Sequence, residues 1–226
     1  MSRKPLIFSL LCILGLAGFS LITWLNLPEL ERYPIHWNAR GEADGFASRN
    51  AVFWVLMIIP ITQIFITMLL WFIPNIDPLR QNFEQSRSAY NVIWIVSIAF
   101  ITAAGFMIVL MYHDGGRVST EAPLKWMAGG LSALFIFIGN VFGKIRQNFM
   151  LGIRTPWTLS SEMSWEKTHR ISGRLLVLAG IIGIMLTIFL PKVAFPFIVT
   201  AILGIVLFSL LYSYLIWKDD DPNKRS

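Results

Sequence analysis

Six long segments of this 226-residue chain contain no charged side chain, although the chain carries 19 Lys and Arg and 13 Asp and Glu residues. The segments are residues 5–28, 51–76, 88–112, 126–143, 175–191 and 193–217. Each is close to the roughly 20 residues with which a helix crosses a hydrocarbon core about 30 Å thick. Because water is absent from that core, the backbone must satisfy its own hydrogen bonds as helix. The pattern predicts an all-α fold, a polytopic membrane helix bundle with six transmembrane helices.

The overall composition supports this prediction and argues against a nucleic-acid-binding protein. Hydrophobic residues make up 55% of the chain and charged residues only 14%, which is too apolar for a soluble domain of this size. The net charge of +6 lies in short loops beside the predicted helices, where membrane topology explains it. We therefore expect the lipid bilayer as a partner and no direct contact with nucleic acid. Cys12 is the single cysteine, so an intramolecular disulfide is excluded.

The distribution of basic residues predicts the orientation of the chain. The two termini and the second and fourth connections share one side of the membrane, and 13 of the 19 Lys and Arg residues lie there. Basic residues are enriched in cytoplasmic loops. Both termini are therefore predicted to be cytoplasmic in a multi-pass protein of the plasma membrane.

The predicted spans contain few polar side chains. No Asp, Glu, Lys, Arg or His lies within them, which disfavours a carrier coupled to protons or ions. Gln63, Asn91 and Asn140 either line a polar path or bond packed helices to one another, and we favour the second interpretation. Gly139 and Gly143 form a G-x-x-x-G pair that indicates close helix packing within the chain more than dimerisation.

The first outer loop, residues 28–50, contains several turn-forming residues. Pro34 favours an extended approach, while Gly41 and the Asp44-Gly45 pair favour turns. The loop is therefore predicted to be compact and to present its polar and aromatic side chains to a ligand. The candidate ligand-binding residues are Pro34, His36, Trp37, Asn38, Gly41 and Asp44.

A metal site in this loop is the weaker interpretation. His36 with Glu42 and Asp44 could share a hard cation, or could join His113 and Asp114 of the next outer loop around a transition metal. The alternative is a solvated loop whose polar side chains cap turns, and we prefer it. We predict no metal and no cofactor.

The fourth connection, residues 144–174, is long and is predicted to contain the start of a helix, whereas the second connection, residues 77–87, has the composition of an ordinary linker. Ser160 is a predicted N-cap with Glu162 in the first turn, and this helix continues into the fifth span. On it, Trp165, His169 and Ser172 follow an i, i+4, i+7 spacing and share one face. Upstream, Pro156 keeps the preceding residue extended and Gly152 permits a tight turn.

Aromatic and basic residues of this connection lie close to the predicted membrane surface. They could receive a protein segment or an anionic headgroup. Taken singly, they fit better with a lipid-anchoring belt in which arginines reach the headgroups. The candidate partner-binding residues are Asn140, Asn148, Gly152, Arg154, Thr155, Pro156, Trp157, Thr158, Trp165, His169 and Arg170.

The same residues form a pattern that resembles the SdpI family of bacterial membrane proteins. The resemblance is carried by Gly139-Asn140, Lys144, Asn148, the run G-I-R-T-P-W-T-L at 152–159, Trp165, Thr168-His169-Arg170 and Gly173. The outer loop, with the pattern P-x-H-x-N-x-x-G-x-x-D at 34–44, is similar to the domain that often precedes this signature. Gln147 departs from the pattern, since relatives often carry proline there. We call residues 144–174 the signature loop.

The resemblance implies a single membrane domain, residues 1–226, with a first helix pair at 5–76 and a four-helix SdpI-like region at 88–217. It implies an immunity and signalling protein that confers resistance to a secreted antimicrobial peptide toxin. It also implies that a small DNA-binding repressor is held at the cytoplasmic face when toxin is present. The toxin would meet the outer loop, and the repressor would meet the signature loop.

Three other classes of function remain open. The first is a small transporter or flippase for a peptide or a lipid. The second is an enzyme that acts on a lipid headgroup with the outer histidines or with His169 and Glu162, but these residues form no recognisable nucleophile, base and orienting group. We therefore predict no enzymatic activity. The third is a structural membrane subunit.

Overall fold

The computed structural model describes residues 3–37, 43–113 and 121–220. Six of its helices are long and apolar enough to cross a membrane, and they coincide with the six charge-free segments. The predicted polytopic helix bundle is therefore confirmed. The elements in chain order are α1 (Lys4–Leu25), β1 (Tyr33–Trp37), β2 (Ala43–Ala47), α2 (Arg49–Ile76), α3 (Arg80–Gln85), α4 (Arg87–His113), α5 (Glu121–Phe142), α6 (Pro156–Ser160), α7 (Glu162–Phe189) and α8 (Pro191–Asp219).

The long helices pack in two groups that meet between α4 and α5. Helices α1, α2 and α4 contact one another, and α5, α7 and α8 form the second group. A buried apolar cluster that includes Leu16, Leu56 and Val109 joins the helices of the first group. On the outside of the bundle, large apolar side chains such as Leu14 and Phe189 are 70% and 73% exposed. Such a surface is suited to hydrocarbon and not to water.

Close packing of α5 against α7 depends on glycine. A Cβ atom built on Gly139 would lie 2.6 Å from the carbonyl oxygen of Gly173, and one on Gly143 would lie 3.2 Å from Cα of Arg170. The backbones of α5 and α7 can approach this closely because Gly139 and Gly143 have no side chains. The predicted intramolecular role of the Gly139 and Gly143 pair is confirmed.

Buried polar side chains link the helices inside the bundle. Gln63 Nε2 donates to Thr102 Oγ1 at 2.6 Å, between α2 and α4. The indole nitrogen of Trp94 donates to Ser9 Oγ at 2.9 Å, between α4 and α1. Gln63 therefore bonds packed helices, as we favoured, whereas Asn140 is exposed on α5.

The outer loop contains two short strands that the sequence analysis did not predict. Strands β1 and β2 pair antiparallel, with Tyr33 opposite Ala47 and His36 opposite Gly45. Glycine is needed at this register position, since a Cβ atom on Gly45 would lie 2.9 Å from the Cβ of His36. The hydroxyl of Tyr112 donates to the carbonyl of Pro34 at 2.8 Å, which ties this hairpin to α4.

Candidate functional site

The signature loop is a folded structure that packs between the ends of several helices. Its first part is organised by Asn148, which is fully buried. The Asn148 Oδ1 atom accepts the backbone N–H groups of Met150 at 2.9 Å and Leu151 at 2.6 Å. Its Nδ2 atom donates to the carbonyl of Arg146 at 2.9 Å. One buried side chain therefore satisfies three backbone groups and fixes the turn.

The short helix α6 begins with a reciprocal cap. Thr155 is extended, as predicted from Pro156, and its Oγ1 accepts the N–H of Thr158 at 3.1 Å. The hydroxyl oxygen of Thr158 accepts the N–H of Thr155 at 2.9 Å. This capping box satisfies two donors that the helix start would leave unpaired. Both threonines are buried, so they stabilise this conformation of the loop from inside and are not part of its surface.

Trp165 and His169 form the buried centre of the site. Their rings stack 4.0 Å apart with an interplanar angle of 21°. The indole nitrogen of Trp165 donates to the carbonyl of Ile145 at 2.7 Å, which joins α7 to the segment that follows α5. Neither side chain is exposed, so neither serves as the lipid anchor that the sequence analysis favoured. The predicted common face of Trp165, His169 and Ser172 is confirmed, and it points inward.

The imidazole of His169 uses both of its nitrogens, one within α7 and the other to join the loop to that helix. Its Nε2 atom accepts the backbone N–H of Ile153 at 3.0 Å, and its Nδ1 atom lies 2.8 Å from the carbonyl of Trp165. Since a carbonyl only accepts, the proton must sit on Nδ1, and the ring is neutral. Gly152 lies directly against this ring with φ of +113°, and a Cβ atom there would overlap Nε2. The predicted tight turn at Gly152 is confirmed.

The N-cap of α7 lies one residue later than predicted. Ser160 is the last residue of α6, whereas Ser161 Oγ accepts the N–H of Ser164 at 3.0 Å and caps α7. The prediction was wrong because both serines have the same capping chemistry, and the intervening turn of α6 decides between them. The prediction that α7 continues into the fifth span is confirmed.

The second connection is not the ordinary linker that we predicted. Asp77 is only 4% exposed, and its Oδ2 atom accepts the N–H of Phe149 in the signature loop at 3.0 Å. Its Oδ1 atom accepts the N–H of Leu79 at 2.7 Å. Ser86 Oγ accepts the N–H of Arg146 at 2.8 Å. The two connections therefore fold as one unit, which we call the signature side of the bundle.

Polar side chains also attach the signature loop to α8. Ser164 Oγ donates to the carbonyl of Ser213 at 2.8 Å, and the hydroxyl oxygens of Thr155 and Ser213 lie 3.2 Å apart. Nearer the middle of the helices, the hydroxyls of Ser172 and Ser209 are 2.7 Å apart. The sequence analysis named none of the serines of α8, and their spacing along that helix was the available signal.

The remaining predicted residues of the site lie at its surface. Arg154 is exposed, and its Nη1 atom donates to the carbonyl of Phe149 at 2.6 Å. Trp157 is half-buried and packs edge-on against Tyr214 of α8, with ring centroids 5.2 Å apart. The exposed residues of the predicted set are Asn140, Arg154, Pro156 and Arg170. We call Arg154, Pro156, Trp157 and Arg170 the exposed patch.

The hairpin at the other end of the bundle joins two of the predicted ligand-binding residues. His36 Nδ1 and Asp44 Oδ1 lie 2.6 Å apart, and their side chains are 70% and 45% exposed. Pro34 is half-buried in β1, and Trp37 is the last residue of that strand. Asn38 and Gly41 lie outside the described residues, as do Glu42 and Asp114 of the metal hypothesis. Within the described ranges, no group of three or more His, Cys, Asp or Glu side chains converges.

Two segments of the chain match known family models. Residues 144–213 match the model of the SdpI/YfhL protein family. Residues 10–61 match a domain of unknown function, DUF1648. The chain is 25% identical over 203 residues to a Bacillus subtilis (strain 168) protein named Immunity protein SdpI, and the match covers 88% of this chain and 89% of that protein. No solved structure matches the chain.

Proposed function

We propose that this chain, whose residues 144–213 match the SdpI/YfhL family model as the sequence signature predicted, is a bacterial immunity protein that protects the cell against a secreted antimicrobial peptide toxin. The observation that carries this proposal is the match to an immunity protein over nearly the full length of both chains. The match includes the outer hairpin as well as the signature loop. A protein that senses a peptide on one side of the membrane and responds on the other needs a binding surface on each side, and the hairpin and the signature loop would provide them.

In this proposal the toxin meets the hairpin. His36 and Asp44 hold each other at the surface of β1 and β2. A hydrogen bond from Tyr112 to Pro34 anchors the hairpin to α4. A displacement of the strands by a bound toxin would therefore act directly on a membrane helix. The attachment of the hairpin and the exposure of His36 and Asp44 support a ligand-binding role for Pro34, His36 and Asp44. Trp37, Asn38 and Gly41 belong to the proposed set from the sequence pattern alone.

The second part of the proposal is that the exposed patch binds a small DNA-binding repressor in the cytoplasm. Arg154 and Arg170 offer two cations, and the half-buried Trp157 between α6 and α8 offers an aromatic surface. Arginine and tryptophan dominate the energetics of many protein interfaces. The buried residues Asn148, Thr158 and His169 then position the patch and do not touch the partner. Toxin changes this surface only by binding two conformations unequally.

A survival assay tests the immunity role. Cells that express the protein are challenged with the sporulation-delaying peptide toxin of the family's namesake system, with membrane levels matched by immunoblot. We expect the wild-type chain to protect and His36→Ala to protect less. Lys167→Ala, an exposed substitution on α7 outside the patch, is the control and should protect fully. Absence of protection by the wild-type chain would refute the proposal.

A localisation assay tests the repressor role separately. The fluorescently tagged autorepressor of the namesake system is expressed with the protein, and its recruitment to the membrane is measured after toxin is added. We expect Arg154→Ala and Trp157→Ala to reduce recruitment while Lys167→Ala does not. Equal recruitment by all variants would remove the exposed patch from the mechanism and leave the immunity role standing.

The proposed orientation places the hairpin outside the plasma membrane and both termini inside. It rests on the positive-inside rule. Single cysteines at Ser48 and Ser160, which are both exposed, are introduced into a Cys12→Ser background. A membrane-impermeant thiol reagent should label position 48 in intact cells and position 160 only after lysis. Labelling of both positions from the same compartment would refute the orientation.

A further inference from the structure

A cavity of about 300 Å³ opens on the signature side between α1, α2, α3 and α4, apart from the exposed patch. Its volume lies at the lower end of the range for ligand sites, roughly 300–1,000 Å³. Its walls come from four separate segments of the chain, so the cavity exists only in the folded bundle. The polar lining residues are Arg3, Asn75, Arg80, Glu84, Arg87 and Asn91.

Three arginines and one glutamate line this cavity. Arg87 pairs with Glu84 at 3.3 Å. Neither Arg3 nor Arg80 has an ion-pair partner among the residues that the structure describes. Like charges that share a cavity repel one another, and a bound anion relieves that repulsion. The cavity therefore carries an excess positive charge that nothing in the described chain neutralises.

The other wall of the cavity is aromatic. Trp71, Phe83, Tyr90 and Trp94 line it, and the last three are almost fully buried. The polar atoms of two of these rings already have partners, because Trp94 donates to Ser9 and Tyr90 donates to the carbonyl of Leu70. Tyr90 and Trp94 therefore offer apolar ring surface to the cavity, and Phe83 adds a third apolar ring. A ligand that combines a phosphate with an apolar part fits both walls.

We propose that this cavity binds the phosphate headgroup of an anionic phospholipid, with Arg3 and Arg80 as the principal contacts. Arginine forms paired, charge-assisted hydrogen bonds with phosphate oxygens. Basic pockets between membrane helices are suited to lipid headgroups. The general enrichment of basic residues near membranes does not account for the arrangement. Arg174, for example, is exposed in the N-terminal half of α7 but lines no part of the cavity.

Native mass spectrometry of the purified full-length protein tests this site. The protein is titrated in detergent with phosphatidylglycerol, with phosphatidylcholine and with inorganic phosphate. We expect retention of one phosphatidylglycerol at concentrations that leave phosphatidylcholine unbound. Removing one arginine should weaken that binding about five-fold, and removing two should weaken it about 25-fold. The variants are Arg80→Gln and the double variant Arg3→Gln with Arg80→Gln.

The matched control is Arg174→Gln, which removes the same charge from an exposed position of α7 outside the cavity and should bind as the wild type does. Arg80→Lys keeps the charge but loses the paired geometry, so its affinity should lie between those of the wild type and Arg80→Gln. Because Arg80 is exposed, these single variants retain the fold even if the double variant does not. Equal binding of both lipids, equal losses in Arg80→Gln and Arg174→Gln, or occupation by inorganic phosphate without lipid preference would each overturn the proposal.

Discussion

Replacing Gly152 with alanine should destabilise the signature loop for two separate reasons. The φ angle of +113° suits glycine, and a residue with a side chain pays about 1–3 kcal/mol to adopt such a conformation. The new Cβ would also overlap Nε2 of His169, the atom that accepts the N–H of Ile153. Displacing the ring breaks this buried pair, which costs a further 1–3 kcal/mol or so. The expected loss in the free energy of unfolding is roughly 2–6 kcal/mol.

The assay is thermal unfolding of the purified protein in detergent, followed by intrinsic tryptophan fluorescence. For a chain of this size, the expected loss lowers Tm by at least about 4 °C. Gly204→Ala is the matched control, because a Cβ atom there has no neighbour within 4 Å and should leave Tm nearly unchanged. In a double variant with His169→Ala the overlap disappears. The loss in the free energy of unfolding of the double variant should therefore be smaller than the sum of the losses of the two single variants. A Tm for Gly152→Ala equal to that of Gly204→Ala would refute the reasoning.

Three further substitutions test other contacts by the same measurement. Asp77→Ala should lower the free energy of unfolding by about 2–4 kcal/mol, because two partly buried N–H groups, those of Leu79 and Phe149, lose a charged acceptor. Gln63→Leu should change the free energy of unfolding by less than about 1 kcal/mol, because Gln63 Oε1 is already buried without a partner in the described bundle. Gln63→Glu should lower it by several kcal/mol, because it buries a carboxyl group at the same place. Gly139→Val should cost about 1–3 kcal/mol or more, because the side chain would strike the backbone of Gly173.

Matched controls separate these effects from the loss of a side chain as such. Glu84→Ala removes a carboxylate from an exposed ion pair and should cost at most about 1 kcal/mol. If Asp77→Ala were equally mild, the link between the two connections would not stabilise the protein. Gly204→Val is the control for Gly139→Val, and equal Tm values for the two would contradict the close packing of α5 and α7.

The six spans could be predicted because the absence of charge is a local property of the sequence, and each segment shows it without reference to its neighbours. The hairpin could not be recognised in the same way, since each strand has only five residues and Pro34 interrupts the pattern. The turn at Gly152 and the extended Thr155 were predictable because glycine and proline act on their own backbone.

The burial of individual site residues depends on tertiary contacts that the sequence does not display. From the sequence alone, His169 could equally have faced solvent or lipid. In the structure it is buried because its ring accepts the N–H of Ile153 and stacks on the ring of Trp165. Asp77 is a similar case, although an aspartate that follows an apolar span and precedes proline has the local signature of a turn. Its bond to Phe149 joins residues 72 positions apart, which no local pattern indicates.

Helix α7 runs without interruption through 28 residues, from Glu162 to Phe189. At 1.5 Å per residue it is about 42 Å long, some 12 Å more than a hydrocarbon core requires. Trp165 and His169 therefore stand on a stiff extension of a transmembrane rod. A tilt of about 5° that pivots at Phe189 displaces the first turn by about 4 Å. Such a lever carries a small movement in one leaflet to the opposite surface without any hinge.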